Sequence, residues 1–162
     1  MGYTTATWLG FGEALAAVAG ALTGLLFVAL SVKGAALSGS LSLRSRAAQT
    51  LALFMTSVLV GLLVVAPQPS AALGGELLAL GAAAGLTLLV LDRRAGHGSR
   101  ERVARDIERF SPNTITAVLV AIAGLTFLLK AGGGLYWLIP AAVASLVGGV
   151  VNAWLFLVRV NG

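Results

Sequence analysis

The sequence predicts an all-α fold, an integral membrane bundle of five transmembrane helices. The chain is 58% hydrophobic and only 10% charged, whereas soluble domains carry about 25% charged residues. The apolar residues also fall into long runs, each sufficient to cross a hydrocarbon core of roughly 30 Å. These runs cover residues 8–32, 47–66, 71–91, 113–130 and 135–158. Little chain remains outside them, so we expect residues 1–162 to form a single transmembrane helical domain.

The boundaries of the runs follow from turn residues. Thr7 and Ser70 are the expected N-caps of the first and third helices. The turn PQPS at 67–70 is too short for anything but a tight antiparallel hairpin of the second and third helices. The turn AGGG at 131–134 likewise predicts a tight antiparallel hairpin of the fourth and fifth helices.

The basic residues predict the orientation. Ten of the eleven Lys and Arg residues fall on one side if the five runs alternate in direction, and Lys130 alone falls on the other. Basic residues stay on the cytoplasmic side of a membrane. The sequence therefore predicts an outside N-terminus and a cytoplasmic C-terminus.

The loop between the third and fourth runs predicts a short interfacial helix at about residues 100–110. Val103, Ile107 and Phe110 share one face, and arginines with acidic partners occupy the other. A basic helix of this kind contacts the anionic inner leaflet. Packing under the bundle as a plain connector and docking of a partner protein are the open alternatives. The residues expected to contact lipid are Arg100, Arg102, Arg105, Arg109 and Phe110.

Small residues at four-residue spacing indicate close helix packing. Such stripes let two backbones approach, which is how helices associate in lipid. They serve packing within one chain or between copies, and the sequence favours a homo-oligomer in which the first or fifth helix contacts a neighbour. The stripe of the first helix is Gly12, Ala16, Gly20 and Gly24. The stripe of the fifth is Ala141, Ser145, Gly149 and Ala153.

Two carboxylates lie inside the apolar runs. Glu13 and Glu76 each follow an expected helix start by six residues, or roughly 9 Å at 1.5 Å per residue. An ionisable group at that depth is costly and points to function by default. The two side chains are candidates for a paired site that binds protons or cations near the outer face. The alternative is structural polarity, with each carboxylate reaching toward the headgroups or neutralised by Lys130.

Asn152 is a third candidate, since it lies in the inner half of the fifth helix. An amide in hydrocarbon needs hydrogen-bond partners. Gln49 and Thr50 are at a compatible depth, and the alternatives are a bond between helices or a place on a conduction path.

Several classes of function are disfavoured. The chain has no cysteine, and its one histidine, His97, stands in a Gly- and Arg-rich loop. We therefore expect no metal site and no cofactor. A nucleophile with a base, or a phosphate-binding loop, is not recognisable, so an enzyme is not expected. Nucleic-acid binding is also not expected, because no aromatic residues interleave the arginines.

Three stretches resemble a group of small actinobacterial multi-pass membrane proteins of unknown function, often labelled "modulator of FtsH protease". These are GALTGLLFVALSV at 20–32, PQPSAALGGELLALG at 67–81 and GGGLYWLIPAAVASLVGGVVNAWLFLVRV at 132–160. The resemblance implies the same multi-span fold and a location in the bacterial plasma membrane. It supplies no catalytic residues.

Two functions remain from the sequence. The first is a homo-oligomeric small channel or ion or proton pathway. The second is a non-conducting regulator or assembly partner of another membrane protein, such as a membrane protease. The lipid bilayer is the expected partner in both.

Overall fold

The computed structural model describes residues 2–32, 41–95 and 112–160. These ranges form five α-helices and contain no strand. All five are long and apolar enough to cross a membrane. The prediction of an all-α bundle with five membrane-spanning helices is therefore confirmed. The helices are α1 (Leu9–Val32), α2 (Leu41–Val65), α3 (Ser70–Ala95), α4 (Pro112–Leu129) and α5 (Leu138–Val160).

Some helix boundaries differ from the apolar runs. Helix α2 begins at Leu41 rather than at residue 47, although its apolar span begins at Ala47. Leu, Arg and Ala favour helix whether or not lipid surrounds them, so the helix continues beyond the apolar part. A 3-10 turn, Thr5–Trp8, precedes α1 and contains Thr7, which is therefore not the N-cap. The expected interfacial helix at 100–110 lies outside the described residues.

The helices alternate in direction, which gives the bundle two distinct ends. Helices α1, α3 and α5 begin at the end that carries the N-terminus, called the N-terminal end here. The opposite end is called the basic end, because Arg44, Arg93 and Arg159 lie in the helix segments there. The sequence-based topology would place the basic end in the cytoplasm.

The helices pack as two close pairs joined by the fifth helix. Helix α1 lies along α2, α3 lies along α4, and α5 packs against both α4 and α2. Helix α2 also touches α3, whereas α1 and α3 do not pack along one another. Helix α2 is therefore the central element of the bundle.

Glycines bring the two pairs to backbone contact. A Cβ atom on Gly61 would lie 2.6 Å from the carbonyl oxygen of Gly12, so α1 and α2 cross with no room for a side chain. A Cβ atom on Gly81 would lie 2.6 Å from the backbone nitrogen of Ala121 in the α3–α4 pair. Close approach of this kind gives van der Waals contact along both backbones, which replaces the hydrophobic driving force that lipid removes.

The bundle core changes character with depth. Its half toward the N-terminal end is an apolar cluster to which all five helices contribute, including Leu15, Val64, Leu77, Phe127 and Leu138. The buried polar side chains of the described residues lie from the middle of the bundle toward the basic end. They are Thr50, Thr56, Ser57, Asn113, Thr116 and Ser145.

Candidate intramembrane sites

Glu13 and Glu76 lie near the N-terminal end, each in the second turn of its α-helix. Both side chains are exposed on the outer surface of the bundle. Neither makes a hydrogen bond or an ion pair with the residues that the structure describes. Since α1 and α3 do not pack along one another, one chain does not bring the two carboxylates together as a paired site.

Small residues surround both carboxylates on the helix surface. A Cβ atom added at Gly10 or Gly75 would meet nothing within 4 Å. These two surfaces are therefore shallow, and a further helix could approach them closely. The exposed small neighbours of Glu13 are Gly10, Ala14 and Ala17, which we call the α1 face together with Glu13, and Leu9 is exposed at its edge. The exposed neighbours of Glu76 are Ala72, Gly75, Ala79 and Ala83, which we call the α3 face together with Glu76.

The other outward surfaces carry large apolar side chains. Helix α5 exposes Val143, Val147, Val150 and Val151, and α2 exposes Met55, Leu59 and Leu62. Helix α4 likewise exposes Ile115, Val118, Leu125, Leu128 and Leu129. Branched and long apolar side chains suit contact with lipid tails, whereas small residues with a polar group suit contact with another helix. The α1 and α3 faces therefore differ from these surfaces, although α1 and α3 also expose large apolar side chains nearer the basic end, such as Phe27 and Leu86.

The small-residue stripe of the first helix divides between two environments. Gly12 is buried against Gly61 of α2, and Ala16 borders the same crossing. A Cβ atom on Gly20 or Gly24, by contrast, would meet nothing within 4 Å. The half of the stripe nearer the basic end is thus left open by the chain.

The stripe of the fifth helix is filled within the chain. Ala141, Ser145 and Gly149 are buried, and Ala153 is half-buried. The Ser57 hydroxyl of α2 donates a hydrogen bond of 2.7 Å to Ser145 Oγ. The ring of Phe54 occupies the space that a side chain at Gly149 would need. Helix α2 therefore covers this stripe, and the face is not available to a neighbouring copy without rearrangement.

Asn152 is half-buried on α5. It makes no hydrogen bond with the described residues, so the expected bond to Gln49 or Thr50 is not formed. The buried amide that the sequence reasoning missed is Asn113, which is 4% exposed. Its position directly after Pro112 suggested a helix start rather than a core residue. The spacing of Asn113, Thr116 and Val120 along α4 is the signal that could have found it.

The N-terminal segment closes one end of the bundle. The backbone N–H of Leu135 donates to the carbonyl oxygen of Gly2 at 3.0 Å, and the N–H of Gly133 donates to the Tyr3 hydroxyl at 3.0 Å. The rings of Trp8 and Tyr136 meet edge to face with centroids 5.1 Å apart. These contacts clasp residues 2–8 onto the turn before α5.

Glycine makes this clasp possible. Gly132, Gly133 and Gly134 all have positive φ, at 80°, 110° and 57°, a conformation that glycine adopts at little cost. A Cβ atom on Gly134 would lie 2.5 Å from the carbonyl oxygen of Gly2. The AGGG sequence thus provides both a turn and a docking surface for the N-terminus.

A metal centre has no support in the described ranges, where no three His, Cys, Asp or Glu residues come together. The arginines expected to contact lipid, Arg100, Arg102, Arg105 and Arg109, lie outside those ranges together with Phe110.

No protein-family model, curated protein or solved structure matches the chain. The five apolar helices of spanning length are compatible with a multi-pass membrane protein.

Proposed function

We propose that the protein is a homo-oligomer in which the α1 and α3 faces meet between copies. Glu13 and Glu76 would then form a shared acidic site that binds protons or small cations at the N-terminal end. The observation that carries the proposal is the exposure of both carboxylates on small-residue surfaces, without a partner among the described residues. A carboxylate facing lipid tails is costly, and a neighbouring copy would remove that cost.

The two faces belong to different helices that do not pack together. Contact between the α1 face of one copy and the α3 face of the next is therefore heterologous. A heterologous contact produces a ring when its rotation closes. Such a ring would place one Glu13 and one Glu76 at every contact.

Lys130 provides charge complementarity for the same contact. It lies exposed at the N-terminal end of the bundle, directly after α4, and makes no ion pair within the described ranges. Lys130 of one copy would be available to the acidic site of the next, where it would offset one of the two negative charges and leave the other to a proton or cation. Such a pair, partly withdrawn from water, would help to fix the orientation of the two copies.

Conduction would have to occur between copies rather than through one chain. The half of the core toward the N-terminal end is filled by apolar side chains, among them Leu77, Val120 and Phe127. The same closed core also supports the second candidate, a non-conducting regulator or assembly partner. In that case the α1 and α3 faces would bind a different membrane protein.

The assembly is tested by enlarging glycines that the single chain leaves open. A Cβ atom at Gly75 on the α3 face, or at Gly20 one turn beyond Ala17 of the α1 face, would meet nothing within 4 Å inside the chain, so we expect Gly75→Leu and Gly20→Leu to keep the fold. If copies meet there, the leucine forces their backbones apart and reduces the oligomer to smaller species. The measurement is native mass spectrometry from lipid nanodiscs, with thermal unfolding to verify the fold.

Two variants serve as controls. Val147→Leu on the lipid-facing surface of α5 should leave both assembly and stability unchanged. Gly149→Leu should lower stability in any assembly, because Phe54 fills the space. A monomeric wild type, or an unchanged oligomer in Gly75→Leu and Gly20→Leu, would show that these faces do not join copies of the chain and that the proposal is wrong.

We also propose that the N-terminal end faces outward and the basic end faces the cytoplasm of a bacterial cell. The chain has no cysteine, so single-cysteine variants report one site each. An impermeant thiol reagent applied to intact cells should label a cysteine at position 69 and leave one at position 97 unlabelled. The reverse pattern would mean the opposite orientation.

A further inference from the structure

The two ends of the bundle differ in how they exclude water. At the N-terminal end, the clasp of residues 2–8 lies above the apolar cluster. Toward the basic end, the core contains hydroxyl and amide side chains. A polar group buried away from water normally has a hydrogen-bond partner, so each buried polar side chain at this end needs one.

Asn113 is the buried polar side chain at this end with an atom that has no hydrogen-bond partner among the described residues. It lies in the first turn of α4 and is 4% exposed. Its Oδ1 atom is buried and accepts no hydrogen bond from the described residues. Asn113 shares the inward stripe of α4 with Thr116, Val120, Ala123 and Phe127. The side chain is therefore part of the core, where an unpaired acceptor is unfavourable.

Contacts between helices fix the depth of Asn113. Gly148 of α5 lies against Pro112, and Gly149 lies against Phe54 of α2. Asn113 is thus at the level where α2, α4 and α5 meet. The hydrogen bond between Ser57 and Ser145 lies about one turn closer to the N-terminal end.

Thr116 lies one turn beyond Asn113 on the same stripe. Its hydroxyl donates to the carbonyl oxygen of Pro112 at 2.8 Å, which leaves its own lone pairs available as acceptors. Val120, the next residue of the stripe, is 1% exposed and belongs to the apolar cluster. The polar part of the stripe therefore ends between Thr116 and Val120.

We propose that water reaches Asn113 from the basic end of the bundle, binds its Oδ1 atom and stops below Val120. A water molecule can donate one hydrogen to Asn113 Oδ1 and the other to Thr116 Oγ1. Buried waters characteristically bind otherwise unsatisfied polar groups in this way. The site lies within one chain and at the opposite end from the carboxylates, so it does not depend on assembly.

Water is favoured over a cation at this position. The first turn of α4 carries unpaired backbone N–H groups and the positive end of the helix dipole. A cation there would be repelled, and no acidic side chain of the described α2, α4 or α5 segments lies beside it to compensate. Water is neutral, so the helix dipole does not repel it, and it can donate a hydrogen bond to Asn113 Oδ1.

Cysteine accessibility tests the proposal directly. Single variants Asn113→Cys, Thr116→Cys and Val120→Cys place a thiol at successive depths on one stripe. A small charged methanethiosulfonate would be applied separately to each side of the membrane. Positions 113 and 116 should react at least about tenfold faster than position 120, because a thiol reacts as its thiolate, which does not form in a dry core. The reaction should occur from the basic end only.

Val118→Cys, on the lipid-facing side of α4 at intermediate depth, is the matched control and should stay unlabelled. Absence of labelling at position 113 and position 116 in folded protein would overturn the proposal. Labelling at position 120, or labelling from the N-terminal end, would overturn it as well, since the core would then be open throughout. Thr116→Cys exchanges the hydroxyl for a thiol and removes one methyl group, and it is the variant least expected to disturb folding.

Thermal unfolding of Asn113→Leu provides a second test that does not depend on labelling. Leucine has the same number of side-chain heavy atoms as asparagine and branches at the same position, although it is bulkier, and it binds no water. If Asn113 holds a water, Leu removes the group that binds it and the water is lost or left without that partner, and Tm should fall by at least about 4 °C. If Oδ1 is dry and unpaired, Leu removes a buried polar group without a partner and Tm should rise, which would contradict the proposal.

Discussion

A single methyl group added at Gly124 is expected to destabilise the bundle severely. The Cβ atom of Gly124→Ala would lie 2.5 Å from the backbone nitrogen of Leu78 and 2.7 Å from the carbonyl oxygen of Gly74. Backbone atoms cannot rotate aside as a side chain can, so α3 and α4 must separate along their length. Overpacking of this kind costs about 1–3 kcal/mol or more. Thermal unfolding in detergent or nanodiscs measures the effect.

Gly85→Ala is the matched control for this prediction. It lies on α3 in the same helix pair, but its Cβ atom would be 4.0 Å from the Cβ atom of Ala117, an ordinary contact. Alanine favours helix over glycine by about 1 kcal/mol, so Tm should stay equal or rise. Equal Tm values for Gly124→Ala and Gly85→Ala would show that the α3–α4 contact is not as close as described.

Loss of external pH dependence is the expected result of removing either carboxylate. In the proposed assembly, Glu13 and Glu76 bind protons or cations from the N-terminal side, so flux should vary with the pH on that side. Glu13→Gln and Glu76→Gln keep the shape of the side chain and remove its charge. Each should therefore abolish the pH dependence while the oligomer persists. Ion and proton flux into liposomes containing wild type or either variant provides the measurement.

The outcomes separate the candidate functions. No flux in wild type across a range of ions and pH values would favour the non-conducting regulator. Equal pH-dependent flux in wild type and both variants would leave a pathway but exclude the carboxylates from it. Flux that is lost together with the oligomer would mean that the carboxylates act in assembly.

The sequence by itself determined the class of fold. Five apolar runs give five helices, because backbone groups in lipid must bond within their own helix. The short turns at 67–70 and 131–134 determined which helices are consecutive antiparallel neighbours. The membrane spans agree closely with the runs, since both express the same requirement for length and hydrophobicity.

Only the tertiary structure decided what each small residue does. Gly12 and Gly20 belong to one stripe in the sequence, yet a side chain at Gly12 would meet Gly61, whereas a Cβ atom at Gly20 would meet nothing within 4 Å. Close packing within a chain and close packing between copies both require small residues on the helix surface. Spacing alone therefore could not separate the two uses.

The same limit applies to the polar residues. The depth of Glu13 and Glu76 was readable from the sequence, whereas their placement on separate, outward faces depends on how α1 and α3 turn around α2. Asn113 was hidden because its position next to Pro112 is typical of a helix start. Its burial arises from α5, where Gly148 lets the first turn of α4 approach closely. Depth follows from position along one helix, but the direction of a side chain depends on its neighbours.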